Sequence, residues 1–254
     1  MADRSDVGAD AGPKLAWYQG VTRYQWWVFA VGAMAWLFDC ADSRMFSLAR
    51  APALADLLGV PQVDKAVELY GNYATAAMMA GWAVGGLFFG IVGDRWGRVR
   101  TLSVAVLVYS ACTGLSGLAV HWYDFCLYRF VMGAGIGGAF ATAATLIAET
   151  LPAHARTFSM GLFSALSLFG NILGLVLAGW VFPADQRLLA GVFGGQGVAG
   201  WRLVFFAGAL PALLVVLILR TLRESEKWQE ARRTARENLG RQLGDLRGMF
   251  AHPR

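Results

Sequence analysis

Charge is scarce in this sequence. Lys, Arg, Asp and Glu supply 15% of its 254 residues, against 57% hydrophobic residues, which is too apolar for a soluble domain of this size. Residues 69–93 contain no charged side chain, and neither do residues 101–120. Each run is about 20 residues or more, enough to cross roughly 30 Å of hydrocarbon as a helix. Cysteine is limited to Cys40, Cys112 and Cys126, all in or beside apolar runs. They read as small packing residues, which excludes a disulfide framework. The first 23 residues lack the short apolar run and small-residue cleavage site of a signal peptide, so the first span is expected to direct insertion. No nucleophile–base set, metal-ligand cluster or nucleotide loop stands out. No enzyme activity, cofactor or metal is therefore expected. The glycine run Gly133-Ala-Gly135-Ile-Gly137-Gly138 is not a phosphate loop, because no strand precedes it and its setting is apolar.

The apolar runs that are present predict an all-α membrane protein. Six spans are expected, at residues 26–49, 70–92, 101–120, 125–148, within 157–184, and 203–219. The domain plan is a polar tail over 1–23, a six-helix bundle over 24–220, and a charged amphipathic segment over 221–254. Residues 50–68, with Pro52 and Pro61, read as an outside loop with room for a short helix, and the glycine-rich stretch 185–200 as another outside loop. Pro211 is expected to bend the sixth span. Trp17, Tyr18, Tyr24, Trp26 and Trp27 cluster where a headgroup-level aromatic belt belongs. Sixteen of the 22 basic residues fall in the tail, the 2–3 loop, the 4–5 turn and the segment from Arg220 onward. By the positive-inside rule both termini are cytoplasmic, in a multi-pass protein of the cell membrane. The net charge of +5 is thereby a topology signal, and nucleic acid is not an expected partner.

Three ionisable groups stand in the outer half of span 1: Asp39, Asp42 and Arg44. Inside a bilayer such groups are expensive unless they pair or face a cavity. Asp39 and Asp42 are three apart and share a helix face, whereas Arg44 lies off it. Burial and mutual repulsion suit one of two such carboxyls to hold a proton. The alternative ends span 1 near Phe38 and leaves the charges at the interface, with only 13 apolar residues, 26–38, to span. Arg129, four residues into span 4, either snorkels outward or faces a water-filled cavity. Asn171 is the one strongly polar side chain of span 5 and faces either the cavity or another helix. In span 2, Gly81-x-x-x-Gly85 and Gly86-x-x-x-Gly90 suit close helix packing.

Spans 2 and 3 are joined by Gly90-Ile-Val-Gly93-Asp94-Arg95-Trp96-Gly97-Arg98-Val99-Arg100. A topology signal requires only its arginines, so Asp94 needs another explanation: contact with a helix end. The run resembles the cytoplasmic loop signature of the major facilitator superfamily. Gly90, Asp94, Arg95, Gly97 and Arg98 match it, while Val99 stands where a basic residue is usual. Arg129-Phe-x-x-Gly-x-Gly-x-Gly-Gly resembles the family's fourth helix, and 200–213 its sixth. Leu222-Arg-Glu-Ser-Glu-Lys-Trp228 resembles the start of its central cytoplasmic loop, with Arg223 where proline is common. Asp39-Cys-Ala-Asp42 is similar to the Asp-Gly-aromatic-Asp motif of the aromatic-acid and sialate/lactate proton symporters, with Cys40 and Ala41 departing from it.

The resemblance implies the N-terminal six-helix half of a secondary transporter, built as two inverted three-helix repeats. It implies proton-coupled symport of a small organic anion, with Asp39 and Asp42 carrying the proton, Arg44 or Arg129 attracting the anion, and Asn171 on the pathway. The 90–100 loop, with Glu149 and Arg156, would latch the cytoplasmic side. A second six-helix half is the implied partner, beside substrate, protons and lipid. The chain stops at Arg254, where that family's central loop leads on, so a fragment, a split gene or a dimerising half are the readings of its length. A sugar or other neutral-substrate porter is the rival transport reading, and a non-transporting membrane scaffold or receptor the rival from another class.

Overall fold

The computed structural model describes residues 18–181 and 199–237, which are helical almost throughout. The helices are α1 (Arg23–Leu58), α2 (Lys65–Trp96), α3 (Arg98–Ser116), α4 (Trp122–Thr150), α5 (Ala153–Ala165), α6 (Ser167–Val181), α7 (Gly200–Ala207), α8 (Ala212–Thr221) and α9 (Glu226–Glu237). Among the described residues, five stretches are long and apolar enough to cross a membrane: α2, α3, α4, Ala153–Trp180 and Gly200–Thr221. The last two are α5–α6, interrupted at Leu166, and α7–α8, interrupted before Pro211. That interruption is the bend expected of the proline.

α1 exceeds its expected bounds. It runs 36 residues, through Pro52, and closes on Gly59 in the left-handed region (φ 66°). The residues read as loop from 50 onward are helix up to Leu58, because Pro52 removes a single donor from a stretch otherwise rich in alanine. α2 also runs further, to Trp96, so the expected 90–100 loop shrinks to Gly97, whose φ of 109° turns the chain directly into α3. The tail up to residue 17, the loop core at 182–198 and the segment from 238 onward lie outside the described residues.

α4 is the centre of the bundle. It packs against α2 and α3, while α1 lies against α6 and α4, and α8 against α3. The glycine run makes this possible. A Cβ on Gly133 or Gly137 would strike the Met78 or Trp82 carbonyl of α2, and one on Gly135 would strike the Tyr109 backbone of α3. From the other side, Gly81 and Gly85 face the Phe130 and Ala134 carbonyls of α4 with no room for a side chain. Gly90 departs from the expected pattern: it has open space around it. The sharpest test of this packing is Gly85→Leu. Overpacking costs about 1–3 kcal/mol where side chains can shift, and here the neighbour is backbone. The expected result is loss of monodisperse protein in fluorescence-detected size exclusion, with Gly90→Leu recovered normally.

Candidate functional site

Asp39 and Asp42 sit in the middle of α1, and each is 1% exposed. They are buried in the bundle. Asp39 opens on a cavity of about 250 Å³ between α1, α2, α4 and α6, beside Trp36, Ser43, Trp82, Ile136 and Asn171. Among the described residues Asp39 is the only charged one in that lining, and no basic side chain takes part. Its hydrogen-bonding neighbour is the Tyr109 hydroxyl of α3, but neither carboxyl oxygen has a partner at full hydrogen-bond geometry among those residues. Asn171 lines the cavity while its amide donates to the Ser167 carbonyl at 2.8 Å.

Asp42 is enclosed on all sides described. Thr113 Oγ1 of α3 lies 3.1 Å from Asp42 Oδ2 and also 2.9 Å from the Tyr109 carbonyl. Its single proton serves one of them at a time. Gly208, between α7 and α8, covers the other oxygen: an added Cβ would stand 2.6 Å from Asp42 Oδ1. The charge of Arg129 acts on Asp42, although the two make no contact ion pair.

Arg129 neither snorkels nor faces water, contrary to both expectations. It is wholly buried. Its guanidinium carbon lies 5.1, 5.4 and 4.6 Å from the ring centres of Phe46, Phe125 and Phe205. Nε donates to Ser116 Oγ at 3.2 Å, and Ser116 donates in turn to the Cys112 carbonyl at 2.8 Å. Nη1 donates to Met132 Sδ at 3.4 Å, and Nη2 has no hydrogen-bond partner among the described residues, so three aromatic faces, one hydroxyl and one thioether stand in for part of the water an arginine normally needs. Arg44 is exposed on α1 and does not line the cavity.

Tyr109, Thr113 and Ser116 were not singled out from the sequence. Their spacing of four and three puts their side chains on one face of α3, and that face meets the two aspartates and Arg129. The signal was present as a hydroxyl row inside a charge-free run.

A second cluster closes the α2–α3 end. Arg98 Nη1 pairs with Asp94 Oδ1 at 2.6 Å, and Arg98 Nη2 with Glu149 Oε1 of α4 at 3.1 Å. Arg98 is 12% exposed, so this pair of bridges is better shielded than surface pairs worth about 0–1 kcal/mol. The segment after α8 completes the cluster with residues the sequence reading passed over. Ser225 Oγ donates to Glu149 Oε2 at 2.5 Å, and Trp228 Nε1 donates to the Asp94 carbonyl at 2.8 Å. Glu224, rather than Asp94, takes the helix N-terminus: it accepts from Val99 N at 3.2 Å and Arg100 N at 3.3 Å. Its carboxylate occupies the space where Gly97 would carry a Cβ, so Gly97 is required for the approach as well as for the turn. Arg95 is exposed on the last turn of α2. Arg156 does not join the cluster as expected. It borders a cavity of about 750 Å³ with Glu149 and Glu224, but among the described residues it forms no ion pair and its buried Nε has no partner. Removing the cap with Glu224→Ala is expected to cost about 1 kcal/mol, read as a lower thermal midpoint in detergent, with Glu226→Ala unchanged.

The comparisons with known proteins fit this arrangement. A family described as "Sugar (and other) transporter" matches residues 17–248. The sialic acid transporter NanX of Escherichia coli is 32% identical over 215 residues, covering 85% of this chain and 48% of that protein. The cis,cis-muconate transport protein of Acinetobacter baylyi is 33% identical over 154 residues, 61% of this chain and 34% of its own. The 4-hydroxybenzoate transporter PcaK of the same species is 27% identical, covering 82% and 41%. The chain therefore spans half or less of the length of these relatives. In structure it resembles the partially occluded, inward-open xylose transporter XylE from E. coli, with TM-score 0.70 and 23% identity, over 82% of this chain and 52% of that one.

Proposed function

The chain belongs to the sugar (and other) transporter family of the major facilitator superfamily, and on that footing we propose that it serves proton-coupled symport of a small organic anion, a carboxylate, by alternating access. The observation that carries this reading is Asp39, among the described residues the one charged side chain of the cavity, buried and without a cationic partner there. An ionised Asp39 repels a carboxylate substrate, and the described lining offers no cation to offset it. A carboxylate is admitted beside this residue when Asp39 holds a proton, so proton loading becomes a condition for substrate binding. That condition is what couples the two in a symporter. The printed names of the relatives point the same way, since sialic acid, muconate and 4-hydroxybenzoate are all carboxylates.

The rest of the assignment follows this reading. α1 is the sixth membrane span, with Asp39 and Asp42 sheltered by the bundle, and the six spans form two inverted repeats of three. The α2–α3 end is cytoplasmic in the cell membrane, with both termini on that side. A second six-helix bundle supplies the facing wall of the pathway and the positive charge that the substrate requires. The Asp94–Arg98–Glu149 cluster, with Glu224, Ser225 and Trp228, holds the cytoplasmic side in one of two arrangements.

The test is uptake of radiolabelled carboxylates into proteoliposomes holding the full protein under an imposed pH gradient. Accumulation that a protonophore abolishes, and that benzoates or sialate compete with, supports the reading. Accumulation indifferent to the gradient, or competed only by sugars, makes it a neutral-substrate porter. No uptake by well-folded protein with both halves present leaves a scaffold or receptor.

A further inference from the structure

Five buried polar atoms of α1 and α3 lack a fully formed hydrogen bond among the described residues: both carboxyl oxygens of Asp39, Oδ1 of Asp42 and the hydroxyls of Tyr109 and Ser110. Tyr109 is nevertheless the hydrogen-bonding neighbour of both Asp39 and Ser110. Tyr109 is fully buried, as is Thr113 one turn further along the same face. The other ionisable groups of this seam are Arg129 from α4 and the thiols of Cys40 and Cys112. A buried donor beside buried acceptors is costly while unpaired. This seam is therefore arranged for a charge state in which the donor is engaged.

Tyr109 is the group suited to engage it. The charges of both aspartates act on its hydroxyl, which has Asp39 and Ser110 as hydrogen-bonding neighbours, and a phenol O–H re-aims by rotation about one bond, without moving the backbone. The proton-donating groups are also unevenly shared. Asp42 has the Thr113 hydroxyl and the charge of Arg129. Asp39, which faces the cavity, has neither.

Resting on the proton-coupled reading of Asp39, we infer that Tyr109 is a positioning residue whose hydroxyl donates to Asp39 when that carboxyl is ionised and turns towards Asp42 when Asp39 is protonated. The proton itself passes between Asp39 and the cavity. The phenol keeps its own proton and only changes its acceptor. The state of one aspartate is thereby felt by the other through a single rotor.

Infrared difference spectroscopy of the full chain in lipid, titrated over pH, tests this without needing transport. The protonated carboxyl band lost in Asp39→Asn is the Asp39 signal. With tyrosine labelled on the ring carbon that bears the hydroxyl, a tyrosine C–O band should change together with that signal, and Asp39→Asn should remove the change. In Tyr109→Phe the ionised share of Asp39 at a given pH should fall about tenfold, the effect of one lost hydrogen bond to a charged group. A titrating Asp39 with a silent tyrosine band, or with Tyr109→Phe indistinguishable from the parent, overturns the role of Tyr109 and leaves the coupling reading standing. An Asp39 that never shows a protonated band overturns both. The labelled parent protein keeps the test decisive if Tyr109→Phe does not fold.

Discussion

Asp39→Asn is expected to reduce pH-gradient-driven accumulation of carboxylate to the background of protein-free vesicles. Asparagine keeps the shape but cannot exchange a proton, and it stays neutral in the same way as a protonated Asp39. Substrate entry beside it is therefore preserved while the energetic link is cut. The variant should still exchange labelled for unlabelled substrate across a membrane with no gradient, at a rate comparable with the parent. That pair of results, accumulation lost and exchange kept, separates a coupling residue from a structural one. Loss of both with correct folding would make Asp39 a binding group, and retention of both would remove it from the mechanism. Asp42→Asn should behave differently, because Asp42 is sealed behind Thr113 and Gly208 and does not line the cavity.

The second large effect is at Arg129. Arg129→Met is expected to destabilise the bundle by about 3–5 kcal/mol, the usual consequence of removing one member of a buried charge arrangement. Methionine fills the space among Phe46, Phe125 and Phe205, but Asp42 loses the cation that offsets it and Ser116 loses its donor. The double variant Arg129→Met, Asp42→Asn should recover most of the loss, because the uncompensated charge is then gone. Thermal unfolding of purified protein in detergent reads both. Arg129→Lys should fall between, since it keeps the charge but forfeits the planar stacking and the Nε–H to Ser116. A double variant no more stable than Arg129→Met would show that the rings, and not Asp42, are what Arg129 serves.

What could be read from the sequence was whatever a single helix decides. The burial of Asp39 and Asp42 was legible because ionisable residues three apart on one face of an apolar run leave few alternatives. The glycine pattern announced the tight α2–α4 contact, except at Gly90, where spacing alone does not reveal that no helix faces it. The end of α1 was misplaced because Pro52 suggests a break, whereas an established helix tolerates one missing donor. The surroundings of Arg129 were beyond reach, since its three rings come from α1, α4 and α7. Glu224 caps a helix 125 residues earlier in the chain, and no local spacing encodes such a partnership. Ser225 and Trp228 escaped for the same reason, although their segment had been recognised by resemblance.

The glycine seam around α4 also bears on handling outside the membrane. Where backbone meets backbone, cohesion comes from close-range dispersion and not from apolar surface leaving water. Swapping lipid for detergent changes neither side of that balance, so the α2–α4–α3 slab should come through extraction intact. The same holds for α6, where Gly170 and Gly174 meet the Leu37 and Ala41 carbonyls of α1. What an amphiphile has to replace is lipid on the outward faces, where Leu87 and Phe88 of α2 and Leu168, Phe169 and Trp180 of α6 stand largely bare, so short-chain detergents will strip those faces first while the backbone contacts behind them hold.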